Sequence, residues 1–181
     1  WGDLTHATGW INSYGEEDWF TSEAAIAQTK VGLAYYSATG PLISALGFGW
    51  CWDPAIDTPA EYLTYIEATK GYINYCASNG YGTKVFFTTG PVDYTNATGE
   101  TGYEKFLGHE QIRDSVANDP SRILFDFADI LCYDEGSETP NTTTWNGHTY
   151  PIITAANLGE GTWAHMDEVA GVRLAKAMWW M

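Results

Sequence analysis

Hydrophobic and polar positions change period several times along the chain, and each change marks the border of a predicted element. Apolar residues that recur every three or four positions predict helices, at residues 22–36, 58–79, 102–118 and 167–181. Short continuous apolar runs between them predict buried strands, at residues 42–46, 84–89 and 122–127. The stretch from Pro140 to Gly161 is rich in Thr and Asn, which predicts an irregular segment.

The alternation of these helices and strands predicts the architecture. Strands that are separated by helices pair in parallel through right-handed crossovers, with helices on both faces of the sheet. We therefore expect a single α/β domain over residues 1–181 with a mainly parallel sheet. Three strands make a thin sheet, and the apolar pattern of the last helix continues to Met181 without a cap. Both features predict a chain that is incomplete at its ends, with one or two strands trimmed from the N-terminus.

The clearest local signal is the start of the second helix, at Thr58-Pro59-Ala60-Glu61. Thr58 can cap the helix, Pro59 suits the first helical position and Glu61 completes a capping box. The apolar residues that follow share one helical face, which we expect to be buried: Tyr62, Ile66, Ile73, Cys76 and Ala77.

The charge balance excludes several partners. Eight Lys and Arg against 23 Asp and Glu give a net charge of −15, which argues against binding to nucleic acid and to an anionic membrane surface. No apolar stretch reaches the roughly 18 residues that a membrane-spanning helix needs. The scarcity of Lys and the abundance of Gly, Thr, Tyr and Trp are typical of a secreted or periplasmic protein.

The cysteines and histidines do not predict a metal site or a cofactor. Cys51, Cys76 and Cys132 are too few for a disulfide scaffold, and their spacing matches no zinc pattern. His109 lies three residues from both Phe106 and Ile112, which predicts a partly buried structural histidine. We expect no metal and no cofactor.

Candidate binding residues follow the strands, because ligands of open parallel sheets lie beyond the carboxyl ends of the strands. Three loops occupy that edge, at Gly47–Asp53, Gly90–Tyr94 and Asp126–Asp134, and the segment that contains His165 can reach it. Trp50 and Trp52 in the first loop either cover the core or line a cleft for a sugar ring. Asp126 and Asp129 either favour the positive end of a helix or serve the site.

The same segments resemble the SGNH (GDSL) hydrolases over about residues 40–181. The resemblance rests on the Gly47–Asp53 loop, the Thr58-Pro59-x-Glu61-Tyr62 helix start, the Val85–Pro91 strand and the final His165…Gly171-x-x-Leu174-Ala175 segment. It implies a flavodoxin-like, three-layer α/β/α fold and esterase activity on acetylated sugars, lipids or other esters. By the same resemblance His165, just before the last helix, is the catalytic histidine.

The chemistry of such an ester hydrolase sets requirements for this chain. A Ser hydroxyl attacks an ester when an imidazole accepts its proton and a carboxylate orients that imidazole. His165 is the candidate base, Glu160 the candidate orienting group, and Gly49 a candidate backbone donor to the oxyanion. The first strand-end loop supplies the candidate substrate contacts, which are Gly49, Trp50, Trp52 and Asp53. No Gly-Asp-Ser block follows a strand, so the nucleophile is unassigned.

Three functions agree with these features. The first is an SGNH-type hydrolase whose substrate is a small-molecule or polysaccharide ester, in particular an acylated carbohydrate. The second is a non-catalytic glycan-binding or structural module on the same fold, which the missing nucleophile block favours. The third is a glycoside hydrolase or lyase with paired carboxylates, although no pair in the sequence is distinctive. The first is the function that we expect.

Overall fold

The computed structural model describes residues 21–40, 42–48, 50, 58–90, 92, 97–158 and 166–181. Its helices are α1 (Glu23–Thr39), α2 (Pro59–Asn79), α3 (Gly99–Ala117), α4 (Phe127–Leu131) and α5 (Glu168–Trp180). Its strands are β1 (Ala45–Leu46), β2 (Lys84–Val85), β3 (Phe87–Thr88), β4 (Leu124–Phe125), β5 (Thr142–Trp145) and β6 (His148–Pro151), and a short 3₁₀ helix covers Ala155–Asn157. Helices and strands occur together, which confirms a mixed α/β class.

Three of the long helices, α1, α2 and α5, begin within one residue of the predicted starts. The backbone N–H of Thr58 donates to the Glu61 carboxylate at 2.8 Å, and the capping box forms. Asp167 accepts a hydrogen bond from the Ala170 N–H at 2.9 Å, so a side chain satisfies one of the open donors of α5. The ends are less well predicted, because α1 continues to Thr39 and α3 starts three residues earlier than expected.

The segment predicted as one central strand forms two short parallel ladders. β2 pairs with β1 in the register Ala45↔Lys84 and Leu46↔Val85. β3 pairs with β4 in the register Phe87↔Leu124 and Thr88↔Phe125. Only Phe86 separates β2 from β3, and its N–H donates to the Leu46 carbonyl at 2.9 Å. The chain from β2 to β3 therefore lies between β1 and β4. The larger three-layer arrangement stays a prediction.

The prediction of an irregular segment from Pro140 to Gly161 is wrong, because β5 and β6 form an antiparallel hairpin there. The two residues of its turn have positive φ, 47° at Asn146 and 82° at Gly147. Asn-Gly is the preferred dipeptide for such a turn, so the sequence contained the signal. The third predicted strand was also too long, since the chain leaves β4 at Phe125 and Asp126 caps α4.

The main core lies between α1, α2, α3 and the strands. Its buried residues are largely aromatic: Leu33, Phe48, Trp50, Tyr62, Tyr65, Ile66, Tyr72, Cys76, Val85, Phe87 and Ile112. The predicted face of α2 is confirmed at Tyr62, Ile66 and Cys76, whereas Ala77 is exposed.

A second, smaller cluster lies around α4 and α5. Leu131, Ile153 and Ala170 form its buried part, and Val92, Leu158, Met166 and Leu174 pack against them. The last predicted helix, α5, has an apolar pattern whose residues differ in burial: Ala170 is buried, whereas Met178 is exposed. In the part of the chain that the structure describes, no helix combines the length and the apolar character that crossing a membrane requires.

Candidate functional site

Side-chain hydrogen bonds connect the segments that follow the parallel strands. After β1, Trp50 donates from Nε1 to Thr88 Oγ1 at 2.9 Å, and Thr88 Oγ1 donates to the Phe48 carbonyl at 2.8 Å. After β3, Thr89 Oγ1 donates to Asp126 Oδ1 at 2.7 Å, which connects the end of β3 to the end of β4. The carboxyl ends of these strands therefore meet at one edge, where open parallel sheets bind ligands.

Trp50 belongs to the core at this edge. It is 8% exposed, and its indole lies 4.9 Å from the Phe48 ring and 4.7 Å from the Tyr65 ring. Gly90 is required beside it, because a Cβ at position 90 would lie 2.3 Å from the Trp50 ring. Of the two readings that the sequence left open for Trp50, the structure shows the one in which the ring covers the core. A ligand does not reach the indole faces in this arrangement.

Asp126 is held by a bidentate ion pair with Arg113 of α3. Arg113 donates from Nε to Oδ2 at 2.7 Å and from Nη2 to Oδ1 at 2.9 Å. Burial acts to raise the pKa of Asp126, but the Arg113 contacts and the Thr89 hydrogen bond more than offset it and lower that pKa. Asp126 also accepts the Asp129 N–H and caps α4. It is therefore charged at neutral pH, and it connects α3, β3 and α4 as a structural group.

His109 lies next to this clamp on the inner face of α3. It is 8% exposed, and its ring meets the Tyr62 ring edge-on at a centroid distance of 5.7 Å. Burial, followed by the charge of Arg113, lowers the pKa of His109 to about 4, although Asp126 and a hydrogen bond to the Gly90 backbone act to raise it. The ring is thus neutral near pH 7, and it is more deeply buried than the spacing indicated.

The Nε2 atom of His109 is buried and finds no hydrogen-bond partner among the described residues. A buried polar atom without a partner costs roughly 1–3 kcal/mol, so such an atom in a folded protein needs an explanation. His109 also lines a pocket of about 40 Å³ between α3 and the β5–β6 hairpin. Lys105, Tyr150 and Ile153 line the same pocket.

An aromatic surface adjoins this pocket, and we call it the hairpin platform. It consists of Tyr103 and Phe106 from α3 with Trp145 and Tyr150 from the hairpin. Tyr103 lies 5.5 Å from Trp145 and Phe106 lies 5.6 Å from Tyr150, measured between ring centroids. Tyr103, Phe106 and Trp145 are half-buried. The sequence analysis missed this feature because it missed the hairpin.

Most of the predicted site residues lie outside the described residues. These are Gly49, Trp52, Asp53, Glu160 and His165. The residues that flank the 159–165 segment are described, and Leu158 and Met166 form an antiparallel bridge. Both pack against the second cluster. Val92, four residues after the end of β3, packs against the same cluster.

The remaining candidates are structural where they are described. Cys76 and Cys132 are buried free thiols, and burial raises the pKa of Cys132 to about 11. Trp179 and Trp180 near the end of α5 are 88% and 87% exposed, so they do not cover the core. Within the described ranges, no three or more His, Cys, Asp or Glu side chains are grouped so as to hold a metal ion.

Comparisons of the chain with protein-family models, with curated proteins and with solved structures found no match.

Proposed function

We propose that this chain is a carboxyl-ester hydrolase of the SGNH type that acts on an acylated carbohydrate or a similar ester. The proposal includes a flavodoxin-like, three-layer fold with a mainly parallel sheet, and a secreted or periplasmic location. His165 is the general base, and the reaction as proposed uses water as its co-reactant and no cofactor.

One observation supports this proposal most. The parallel registers of β1 with β2 and of β3 with β4 bring the following segments to one edge. Leu158 and Met166, which flank the segment with Glu160 and His165, pack against the same small cluster as Val92 near that edge. The proposed chemistry needs the imidazole near the strand ends, and the shared contacts of Leu158, Met166 and Val92 with this cluster support that proposal.

The proposed mechanism assigns a role to each candidate. The His165 imidazole removes the proton from the attacking hydroxyl and returns it to the leaving alcohol, while Glu160 fixes its tautomer. The same imidazole then removes a proton from water, which attacks the acyl-enzyme, releases the carboxylic acid and restores the free hydroxyl. The backbone N–H of Gly49 donates to the developing oxyanion. Trp52 and Asp53 contact the substrate, whereas Trp50 packs in the core. The hydroxyl that attacks is the part of the mechanism that remains to be identified.

The hydrolysis of p-nitrophenyl acetate tests the proposal. The His165→Ala variant should hydrolyse the ester at least about 100-fold more slowly than the wild type, because it lacks the general base. The control is Trp179→Ala, which removes an 88% exposed ring of α5 and should leave the rate unchanged. Labelling with a fluorophosphonate and mapping the labelled peptide would identify the nucleophile.

Equal rates for the wild type and His165→Ala would contradict the proposal. If neither protein hydrolyses esters but the wild type is retained by a polysaccharide, the alternative of a non-catalytic glycan-binding module is favoured instead. The half-buried aromatic rings of the hairpin platform are the feature that agrees with that alternative.

A further inference from the structure

The outward face of α5 combines apolar residues with two charges of opposite sign. Val169 and Val172 are 50% and 48% exposed, so this face leaves apolar surface in water. Glu168 and Lys176 are exposed as well, whereas Ala170 is buried on the opposite side of the helix. Positions 169, 172 and 176 repeat at intervals of three and four, so they share one stripe.

An open groove of about 360 Å³ lies along the same face. Residues four positions apart on a helix form a ridge, and five of the six residues that line the groove belong to two neighbouring ridges of α5. The first ridge is Glu168, Val172 and Lys176, and the second is Val169 and Arg173. The face therefore offers a ridge beside a groove, which is the surface that one helix presents to another in helix packing.

The two charged residues of the first ridge have no partner in the part of the chain that the structure describes. No ion pair or side-chain hydrogen bond there involves Glu168 or Lys176. Both lie four positions from Val172, so neither meets an opposite charge along the ridge. Arg173, the other cation of α5, donates to the Tyr133 carbonyl instead. Both charges are therefore open to a partner molecule.

The order of residues in this ridge is self-complementary. Val172 lies at the centre, with a negative charge four residues before it and a positive charge four residues after it. If two copies of α5 cross antiparallel about a twofold axis beside Val172, Glu168 of each copy meets Lys176 of the other. Ridges of this kind align when helices cross at about −50°, the commonest class of helix packing. The ridge of each copy then enters the groove of the other.

We propose that two copies of this chain associate through α5, in an antiparallel crossing centred on Val172 with a Glu168–Lys176 ion pair between the copies at each end. Such a crossing joins about two turns of each helix, less than the roughly 800 Å² per partner of a standard interface. The dimer is therefore weak, and the chain is monomeric at the low concentrations of spectroscopic and kinetic assays. The association does not depend on the proposed function.

Sedimentation equilibrium tests this inference in about 150 mM sodium chloride, which screens the repulsion between two copies of net charge −15. Between about 5 and about 500 µM protein, the mass of the wild type should rise from 20.0 kDa toward twice that value. Val172→Glu should raise the dissociation constant at least about tenfold, because it brings two carboxylates together at the centre. The matched control is Val31→Glu, which adds the same charge at a 62% exposed valine of α1 and should change nothing.

Charge reversal tests the register of the two helices. Glu168→Lys and Lys176→Glu should each raise the dissociation constant at least about tenfold, since each brings like charges together at both ends of the contact. An equimolar mixture of these two variants should associate about as strongly as the wild type, because one copy then carries the positive ends and the other the negative ends. The double variant Glu168→Lys/Lys176→Glu keeps the net charge of −15 and should also associate.

Circular dichroism and urea unfolding midpoints verify that each variant is folded. The inference is overturned if the wild type keeps a mass of 20.0 kDa up to the highest concentration. It is also overturned if folded Val172→Glu dimerises as strongly as the wild type, because the dimer would then use another surface. A mixture of the two single charge variants that associates no better than either alone would equally overturn it, since the charges would not pair between the copies.

Discussion

The helices α2 and α5 begin alike but bury very different surfaces. Each starts at a side-chain cap, the Thr58–Glu61 box for α2 and Asp167 for α5. Six residues of α2 are buried, whereas among the described residues of α5 only Ala170 is. α2 packs against α1, α3 and β2, while α5 packs mainly against the short α4 and the 3₁₀ helix. The difference shows that an apolar helical pattern predicts a helix but not the area that its neighbours cover.

Aromatic truncations test this difference most directly. Tyr65 of α2 is 1% exposed and its hydroxyl accepts the Thr88 N–H at 2.8 Å. Tyr65→Ala should lower the free energy of unfolding by about 3–5 kcal/mol, because it leaves a cavity in the main core. Trp179→Ala removes a larger ring from α5, but that ring is 88% exposed, and the change should stay within about 0.5 kcal/mol. Urea unfolding monitored by circular dichroism measures both.

The conservative variant Tyr65→Phe separates packing from hydrogen bonding. It keeps the ring and removes the hydroxyl contacts to Thr88, so it should cost about 1 kcal/mol. A comparable loss of stability from Tyr65→Ala and Trp179→Ala would mean that the two helices are equally important to the core and would remove the contrast.

The sequence was most informative where a local signal is sufficient. The predicted helix starts near Ser22, Thr58 and Asp167 are confirmed, and each of these residues lies at a cap that depends only on residues three positions away. The burial of Trp50 instead depends on residues distant in sequence, Thr88 and Tyr65. The pairing of β1 with β2 and of β3 with β4 also depends on which segments become neighbours in the fold, and a local sequence pattern does not predict that.

The pH dependence of stability tests the packing of α3 on α2 at His109. The pKa of His109 is lowered from 6.5 to about 4 in the folded protein, so the unfolded chain takes up this proton first as the pH falls. Neutral His109 therefore makes its full contribution to the free energy of unfolding above pH 6.5. This contribution is lost progressively down to about pH 4, by about 3 kcal/mol in total. The charged groups around the ring are Arg113, Lys105 and Asp126. Asp126 does not interfere with this measurement, because its contribution to the free energy of unfolding is lost only at lower pH, as the pH falls through its own lowered pKa.

The measurement compares the free energy of unfolding at pH 7 and pH 4.5. The decrease between these pH values should be smaller by about 2–3 kcal/mol in His109→Gln than in the wild type. An equal decrease in the two proteins would mean that His109 is accessible to solvent and would contradict its burial.

The candidate site was predictable in outline from chain order alone. Parallel strands place their carboxyl ends at one edge, so the Thr88–Gly90 and Asp126 segments were expected to meet, and they do. Two features were not predictable from the sequence: the Arg113–Asp126 ion pair and the buried Nε2 of His109, which has no hydrogen-bond partner among the described residues. Both depend on the rotation of α3 about its axis, which the packing against Tyr62 fixes.

Glycine substitutions give the smallest and most specific test. At Gly108 of α3, a Cβ would lie 2.2 Å from the Tyr62 ring of α2, which is fully buried and cannot move aside. Gly108→Ala should therefore destabilise the protein by about 1–3 kcal/mol despite the better helix propensity of Ala. At Gly171 of α5 and Gly71 of α2 a Cβ would meet no atom within 4 Å, so both substitutions should stabilise by up to about 1 kcal/mol. Gly71→Ala is the control for Gly108→Ala, because position 71 lies on the well-packed helix α2 but has open space around it. If Gly71→Ala also lowers the free energy of unfolding, the loss in Gly108→Ala cannot be attributed to the contact with Tyr62.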